Sequence, residues 1–440
     1  LPSIPILQSD INGTIATPLS FGAVGDARYC DASTEILSDV VTDVSNELTG
    51  NDVGKVFGVV GAGEGTAPLV GTIDEVLSTD SFRSSVAAGT TAIGSRMLYG
   101  TDDTAALQEA IDTLPVVYLP SDYCFLTGPL YCERQGASIW SMGHRVTDWN
   151  GLTFEGGNLI LKPGGNTNPL LWMQECYHSR IFGVALNGSR QYQSSSGGTA
   201  TLLVRNSAYS HFVSCRIVNG TDDGVRLENW SNLENGFSGM ADEVNFTDCW
   251  ILAHNLWGVV EAAGGTSIQP PGDETWTNCH INFNGSGGYY KPYGSFTKLT
   301  GCEVLTNNGH GILLSGSVGC RIIGCSVRFN GQHGIYLYSG QGHTISGNLC
   351  HINSRLYSSP RYSNLVASYS HRLLIDGNNC TDVAFASSAS YGILLEGINN
   401  CRMVGNNCYP DDLVDGALSI AGGSDIEASC NIGFAGGILA

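Results

Sequence analysis

Carboxylates gather in one stretch of this chain. Asp222 and Asp223 share a Gly-rich turn, Asp242 and Glu243 precede one short strand-like segment, and Asp273 and Glu274 precede the next. Hydrolysis of a glycosidic bond needs two carboxyl groups, one donating a proton to the leaving oxygen and the other acting as base or nucleophile. Glu243 stands six residues before Cys249, and Asp273 six before Cys279, so equivalent segments would stack the two acids. Strands in one sheet lie about 4.8 Å apart, close to the roughly 5 to 5.5 Å of a retaining pair; across two steps, about 9.6 Å approaches the inverting separation. Stacked carboxylates raise one another's proton affinity, a cost with no structural return. Asp222, Asp223, Glu243 and Asp273 are therefore the catalytic candidates. Each also has a plain reading: Asp222 and Asp223 as turn formers beside Gly220 and Gly224, and Glu243 and Asp273 as solvated loop acids.

The elements that position these groups repeat. Cys215, Cys249, Cys279, Cys302, Cys325, Cys350, Cys380, Cys408 and Cys430 follow one another at intervals of 22 to 34 residues, each in similar local text. A second ladder places a glycine before an aliphatic strand at Gly224, Gly258, Gly311, Gly334 and Gly392, with a weaker copy at Gly416. Short β-branched segments separated by Asn and Gly at this period predict a parallel β-solenoid with at least two strands per rung. The glycines, 58 in all, read as turn punctuation that tolerates positive φ rather than as disorder.

Solenoid geometry turns such ladders into columns on a surface. The residue before the ladder glycine is Asp223, Trp257, His310, His333, Tyr391 or Asp415, with the two histidines expected in exposed turns. Two and four positions after the glycine, pointing away from the core, come Arg226, Glu228, Tyr290, Tyr336, Tyr338 and Glu396. Aromatic rings offer flat apolar surfaces to sugar rings while flanking polar groups take up hydroxyls, so this face suits a glycan. The residue after the ladder cysteine gives Arg216, Trp250, His280, Glu303 and His351. Trp250 and Trp257 come from one turn and read either as a sugar platform or as partly buried packing. Glu261 falls where other rungs carry Leu, either at a bulge or as a groove carboxylate. The binding candidates are thus Arg226, Glu228, Trp250, Trp257, Glu261, Tyr290, His310, His333 and Tyr336. β-Elimination on a uronate would instead use a cation and a base, from Arg226, Lys291, Arg321, Arg328, His310, His333 or a Tyr.

Composition narrows the partners. With 14% charged residues and a net charge of -20, the chain has no basic footprint for nucleic acid, little attraction to anionic membranes, and an unfavourable field for a long polyanion. No stretch of 18 or more apolar residues calls for membrane insertion, and the first residues lack the basic head and apolar core of a signal peptide. The 15 cysteines are odd in number and sit mostly at a repeat position, so they read as buried, reduced thiols suited to synthesis in a cytosol. No metal-ligand spacing occurs, and no cofactor is expected.

Ahead of the repeats, residues 100–114 place Ala106, Leu107, Ala110, Ile111 and Leu114 on one helical face behind Asp102 and Asp103 as N-caps, followed by a strand at 116–120. Such a helix would cover the open end of a solenoid, where apolar core and unpaired edge groups are otherwise exposed. FGAVGD at 21–26, TDDTAALQEAID at 101–112 and VVYLP at 116–120 together resemble the opening motif of the pectate-lyase-like right-handed parallel β-helix superfamily, in its bacteriophage tailspike depolymerase form. Residues 27–99 interrupt that motif with a polar, Gly-rich insert expected to be a small β-rich subdomain. Ser121-Asp122 stands where the pattern commonly has Gly after Pro.

The expected organisation is an N-terminal segment 1–26, the insert 27–99, a capping helix with first strands at 100–150, and a parallel β-helix with the glycan groove at 151–440. The resemblance implies an endo-acting depolymerase of a bacterial surface polysaccharide, capsule or O-antigen, with hydrolysis ahead of lyase chemistry. A non-catalytic glycan-binding tail protein is the alternative of a different class. It also implies a homotrimer on a virion tail, acting outside the cell after synthesis in the bacterial cytoplasm. The motif recurs over hydrolases, lyases, epimerases and esterases and does not by itself fix the reaction. The chain lacks an Asp-Pro-His-Glu epimerase signature and the nucleophile motifs of esterases.

Overall fold

The computed structural model describes residues 16–44, 48–142, 147–149, 153–164, 169–193, 199–232, 237–238, 241–265, 270–356, 362–381, 389–409, 413, 415–429 and 431. Parallel strands dominate it, stacked in one sheet system of 22 strands and another of nine. A typical rung runs through three short strands, Thr275–Thr277, His280–Asn282 and Gly287–Lys291, before the next begins at Lys298–Thr300. Register is strict: Trp250 pairs with His280, which pairs with Glu303, and Tyr290 pairs with Leu313, which pairs with Tyr336.

Side chains at alternate strand positions fill the interior in columns. Phe212, Phe246 and Trp276 stack face to face at 4.4 and 4.0 Å, and Leu299, Ile322 and Ile345 continue the same column. The described ladder cysteines are buried, with no disulfide among the described residues, but their ladder is two ladders. Cys215, Cys249, Cys279, Cys302 and Cys325 are in register, and Asn348 takes the next place, its Oδ1 accepting the Cys325 N–H at 2.8 Å. Cys350 lies opposite Val327, two residues further on, and Cys380 and Cys408 follow it. A shift of two keeps a side chain on the same face, so both sets remain buried. His351 accordingly pairs with Arg328 and leaves the column of Glu303. Cys430 lies outside the described residues.

Buried asparagines hold the corners. Asn284, Asn307, Asn330 and Asn353 are fully buried. Each donates through its amide Nδ2 and backbone N–H to Oδ1 of the next, at 2.9 and 3.0 Å for the first pair. Asn348, Asn378 and Asn406 build a second such ladder. These stacks satisfy amides that would otherwise be orphaned in the core.

The ladder glycines serve close packing rather than positive φ. A Cβ on Gly224 would meet the Gly258 carbonyl at 2.5 Å and Ile251 at 2.6 Å, and one on Gly311 would meet Val327 at 2.6 Å. Left-handed backbone at the bends is instead carried by residues such as Glu243, Asp248, Asp273 and Asn278. The weak copy at Gly416 is out of step: Tyr391 pairs with Gly416 itself, so Ala417 occupies the glycine position and Asp415 leaves the column.

At the N-terminal end, the helix Thr104–Thr113 buries Leu107, Ala110 and Ile111 against Ala23, Val117 and Leu130, closing the core. Asp103 is not its side-chain cap. Its carboxylate accepts the N–H groups of Val24 and Gly25 at 2.6 and 3.0 Å, fastening the two halves of the interrupted motif, while Asp102 accepts from Thr104 N–H. The insert is a closed antiparallel barrel of six strands between Arg28–Thr34 and Ala92–Gly100. Arg96 ties it to Glu155 by two bonds of 2.7 and 2.6 Å. No helix among the described residues is long and apolar enough to cross a membrane.

Candidate active site

The outward face running through Ala200–Arg205, Asp223–Asn232, Trp257–Gly265 and Gly287–Lys291 carries the densest set of functional groups. Asp223 begins its strand at a corner. Gly224 packs inward, and alternation then turns Arg226 and Glu228 outward and Val225 and Leu227 into the core. Arg226 bridges two carboxylates, with Nη1 3.1 Å from Asp223 Oδ2 and Nε 2.5 Å from Glu228 Oε1. Glu228 Oε2 takes two further bonds from Arg205, at 3.1 and 2.8 Å. The Arg205 guanidinium lies 4.6 Å from the ring centre of Trp172 and 4.3 Å from that of Trp230, an arrangement that pins a cation between aromatic faces.

Asp223 is the carboxyl group here whose protonation is most altered. Its side chain is 5% exposed, and burial pushes it up to about 6 against the pull of the Trp257 N–H at 3.1 Å and of Arg226, with Asp222 adding to the rise. It can therefore hold a proton near neutrality and release it, as a general acid must. Asp222 is buried beside it and accepts from Thr221 Oγ1. One rung on, Trp257 stacks on Tyr290 at 5.0 Å, both rings half-buried, adjacent to the Asp223 corner.

Glu243 and Asp273 do stack on neighbouring rungs, as their spacing required: Glu243 donates its N–H to the Gly272 carbonyl and Asp273 to that of Ser295. They sit at bends at the opposite end of the face from Asp223. Burial, together with Asp273 and Glu243, raises the proton affinity of Asp242. The structure thus assembles two acidic groups, not one.

Glu261 is neither at a bulge nor in a groove. It pairs with Leu227, one position out of phase with Glu228, and points into the core with its side chain fully buried. Lys291 follows in the same column, also fully buried, and is withdrawn from any lyase role. His310 and His333 are not exposed turn residues. Their rings stack in parallel at 5.3 Å beneath Tyr336 and Tyr362, and burial pushes them down to about 4 and about 3, so both are neutral near pH 7. Tyr336 continues the aromatic face to Tyr338. Trp250 and Trp257 are on different sheets. Trp250 stands in its own ladder between Arg216 and a tilted His280 ring and remains 42% exposed. Sequence reasoning missed Arg205, Trp172 and Trp230. They precede or flank the glycine ladder and became legible only through register.

The sequence matches the right-handed β-helix region family over residues 259–356 and 279–435. The fold is a right-handed parallel β-helix. Among solved structures, this β-helix is similar to the enzymatically active domain of tailspike protein 2 from bacteriophage CBA120, with 16% identity, a TM-score of 0.51, and coverage of 88% of this chain and 61% of that one. It is also similar to the A-module of mannuronan C-5 epimerase AlgE4 from Azotobacter vinelandii, with 14% identity, a TM-score of 0.50, and coverage of 76% and 93%. At these identities the likeness concerns the fold. No curated protein sequence matches the chain.

Proposed function

We propose that this protein is a tailspike-type depolymerase that binds a bacterial surface polysaccharide, capsule or O-antigen, along its outward aromatic face and hydrolyses it internally. One observation carries the reading: a buried Asp223 that titrates near 6, bridged through Arg226 to a second carboxylate and flanked by stacked rings. Asp223 donates the proton to the leaving glycosidic oxygen. Asp222 beside it, or Glu228 across Arg226, supplies the second carboxylate. Trp257, Tyr290 and Tyr336 line the path of the glycan, and the stacked acids Glu243 and Asp273 bound its far edge. Likeness to a phage tailspike domain and to a polysaccharide epimerase module supports a glycan substrate.

The protein acts as a homotrimer on a virion tail, outside the cell and after cytoplasmic synthesis, a setting that the buried ladder thiols fit. Light scattering should give three times the chain mass. The activity is tested by incubation with purified bacterial surface polysaccharides, following new reducing ends and the ultraviolet absorbance of unsaturated uronate together. Reducing ends alone support hydrolysis. Both signals rising together replace it with a lyase, for which Arg226 would neutralise the uronate. Binding without either signal leaves a glycan-binding tail protein.

A further inference from the structure

Independently of the outward face, the interior contains a reactive arrangement. Val204, Leu227, Leu314 and Leu337 form an aliphatic core column into which Glu261 and Lys291 are inserted on consecutive rungs. Lys291 Nζ lies 2.6 Å from Glu261 Oε2 and 3.3 Å from Glu274 Oε2, and all three side chains are fully buried. Trp276 Nε1–H donates to Glu261 Oε1 at 2.9 Å. The Thr297 hydroxyl stands 2.9 Å from Glu261 Oε2 and 3.1 Å from Glu274 Oε2, linking the two acids. Lys291 Nζ also donates to the Pro271 carbonyl at 2.7 Å.

We propose that Lys291 and Glu261 condense in the folded chain to form an intramolecular amide that joins adjacent rungs. Each part of such a reaction is present: a nucleophilic nitrogen, a carboxyl carbon beside it, a donor on the oxygen that gains charge, and a proton relay. Burial and the negative charge of Glu261 hold Glu274 protonated, so one lysine and two glutamates make a neutral cluster. Glu261 and Lys291 hold each other charged at rest; the reacting form arises when the Lys291 ammonium passes a proton across the 2.6 Å contact to Glu261 Oε2. The amine lone pair then attacks Glu261 Cδ, and the carbonyl electrons move onto Oε1 against the indole N–H. Glu274 gives its proton through Thr297 to Oε2 and takes back the proton released by nitrogen. The Cδ–Oε2 bond breaks and water leaves. Ammonium plus carboxylate has become amide plus water, with Glu274 restored and no other reactant consumed. The bond spans 30 residues.

The test is mass spectrometry of the denatured full-length chain and its chymotryptic peptides. Trypsin is unsuitable because no Lys or Arg lies between Arg226 and Lys291. Cleavage after Trp276 and Tyr289 should give one branched species joining the Glu261 and Lys291 segments, lighter than their sum by one water and present in essentially every chain. Glu274→Gln should reduce the branched fraction at least tenfold while circular dichroism still reports β-structure. Separate linear peptides carrying an unmodified Glu261 and Lys291 overturn the amide. Full branching in Glu274→Gln overturns the relay assigned to that residue.

Discussion

Glu228 and Glu261 lie on neighbouring strands of one sheet, one position out of phase, and their fates differ entirely. Glu228 points outward and is buried beneath two arginines, of which Arg226 is partly exposed, whereas Glu261 points inward and meets Lys291, Trp276 and Thr297 in a sealed core. The chemical groups are nearly the same; the phase of the strand decides whether they face a substrate or one another. In this fold a carboxylate's position along the strand therefore says as much about its role as its identity does.

Removing the interior cation should have the largest structural effect. Lys291→Met removes the proposed cross-link together with the cation that faces Glu261 and should destabilise the fold by about 3–5 kcal/mol, as breaking a buried pair does, measured by urea unfolding. Replacing Glu261 and Lys291 together by Leu restores the aliphatic column and should recover most of that loss. At the corners, Asn330→Ala leaves buried amide partners unmatched and should cost about 1–3 kcal/mol in the same assay.

The outward cluster should respond through pH instead. Asp223 is raised in the fold, so its protonated form contributes stability at low pH that is lost as pH rises through about 6. As a general acid, it should give a pH–rate profile that falls above the same value. Removing the attractive cation in Arg226→Met should move that falling limb to higher pH. Glu228→Gln leaves Arg226 to Asp223 alone and should move it lower. A smaller effect is expected of Trp257→Ala, a several-fold weaker affinity for glycan fragments by calorimetry, because Tyr290 retains part of the stacking surface. Equal losses on replacing Trp250, which lies on the other sheet, would blur the distinction between the two sheets.

Much of the architecture was legible in the chain. The glycine ladder fixed the register of Asp223, Trp257, His310 and His333 because a side chain at those glycines would collide with the next rung. The cysteine ladder was less reliable after Cys325, since a shift of two residues preserves inward orientation and leaves no mark in the pattern. Asp103 read as a helix cap because its tertiary partners, Val24 and Gly25, stand 79 and 78 residues away. The candidate site was legible in Asp223, Arg226 and Glu228, which share one strand. Arg205 and Trp172 come from earlier rungs and join it only through pairing. Glu261 and Lys291 looked like surface groups because a charged residue in a core column runs against the usual preference and is tolerated only when its partners arrive from other rungs.

The most direct measurement compares Asp223→Asn and Glu261→Gln with the wild type on one polysaccharide that the wild type cleaves, following reducing ends and fragment binding per folded molecule. Asp223→Asn should lose about 100- to 10,000-fold in cleavage, the usual contribution of a general acid, while still binding glycan. Glu261→Gln should cleave at close to the wild-type rate. Full activity in Asp223→Asn, or collapse of activity in a folded Glu261→Gln, would contradict the assignment of the outward cluster as the catalytic one.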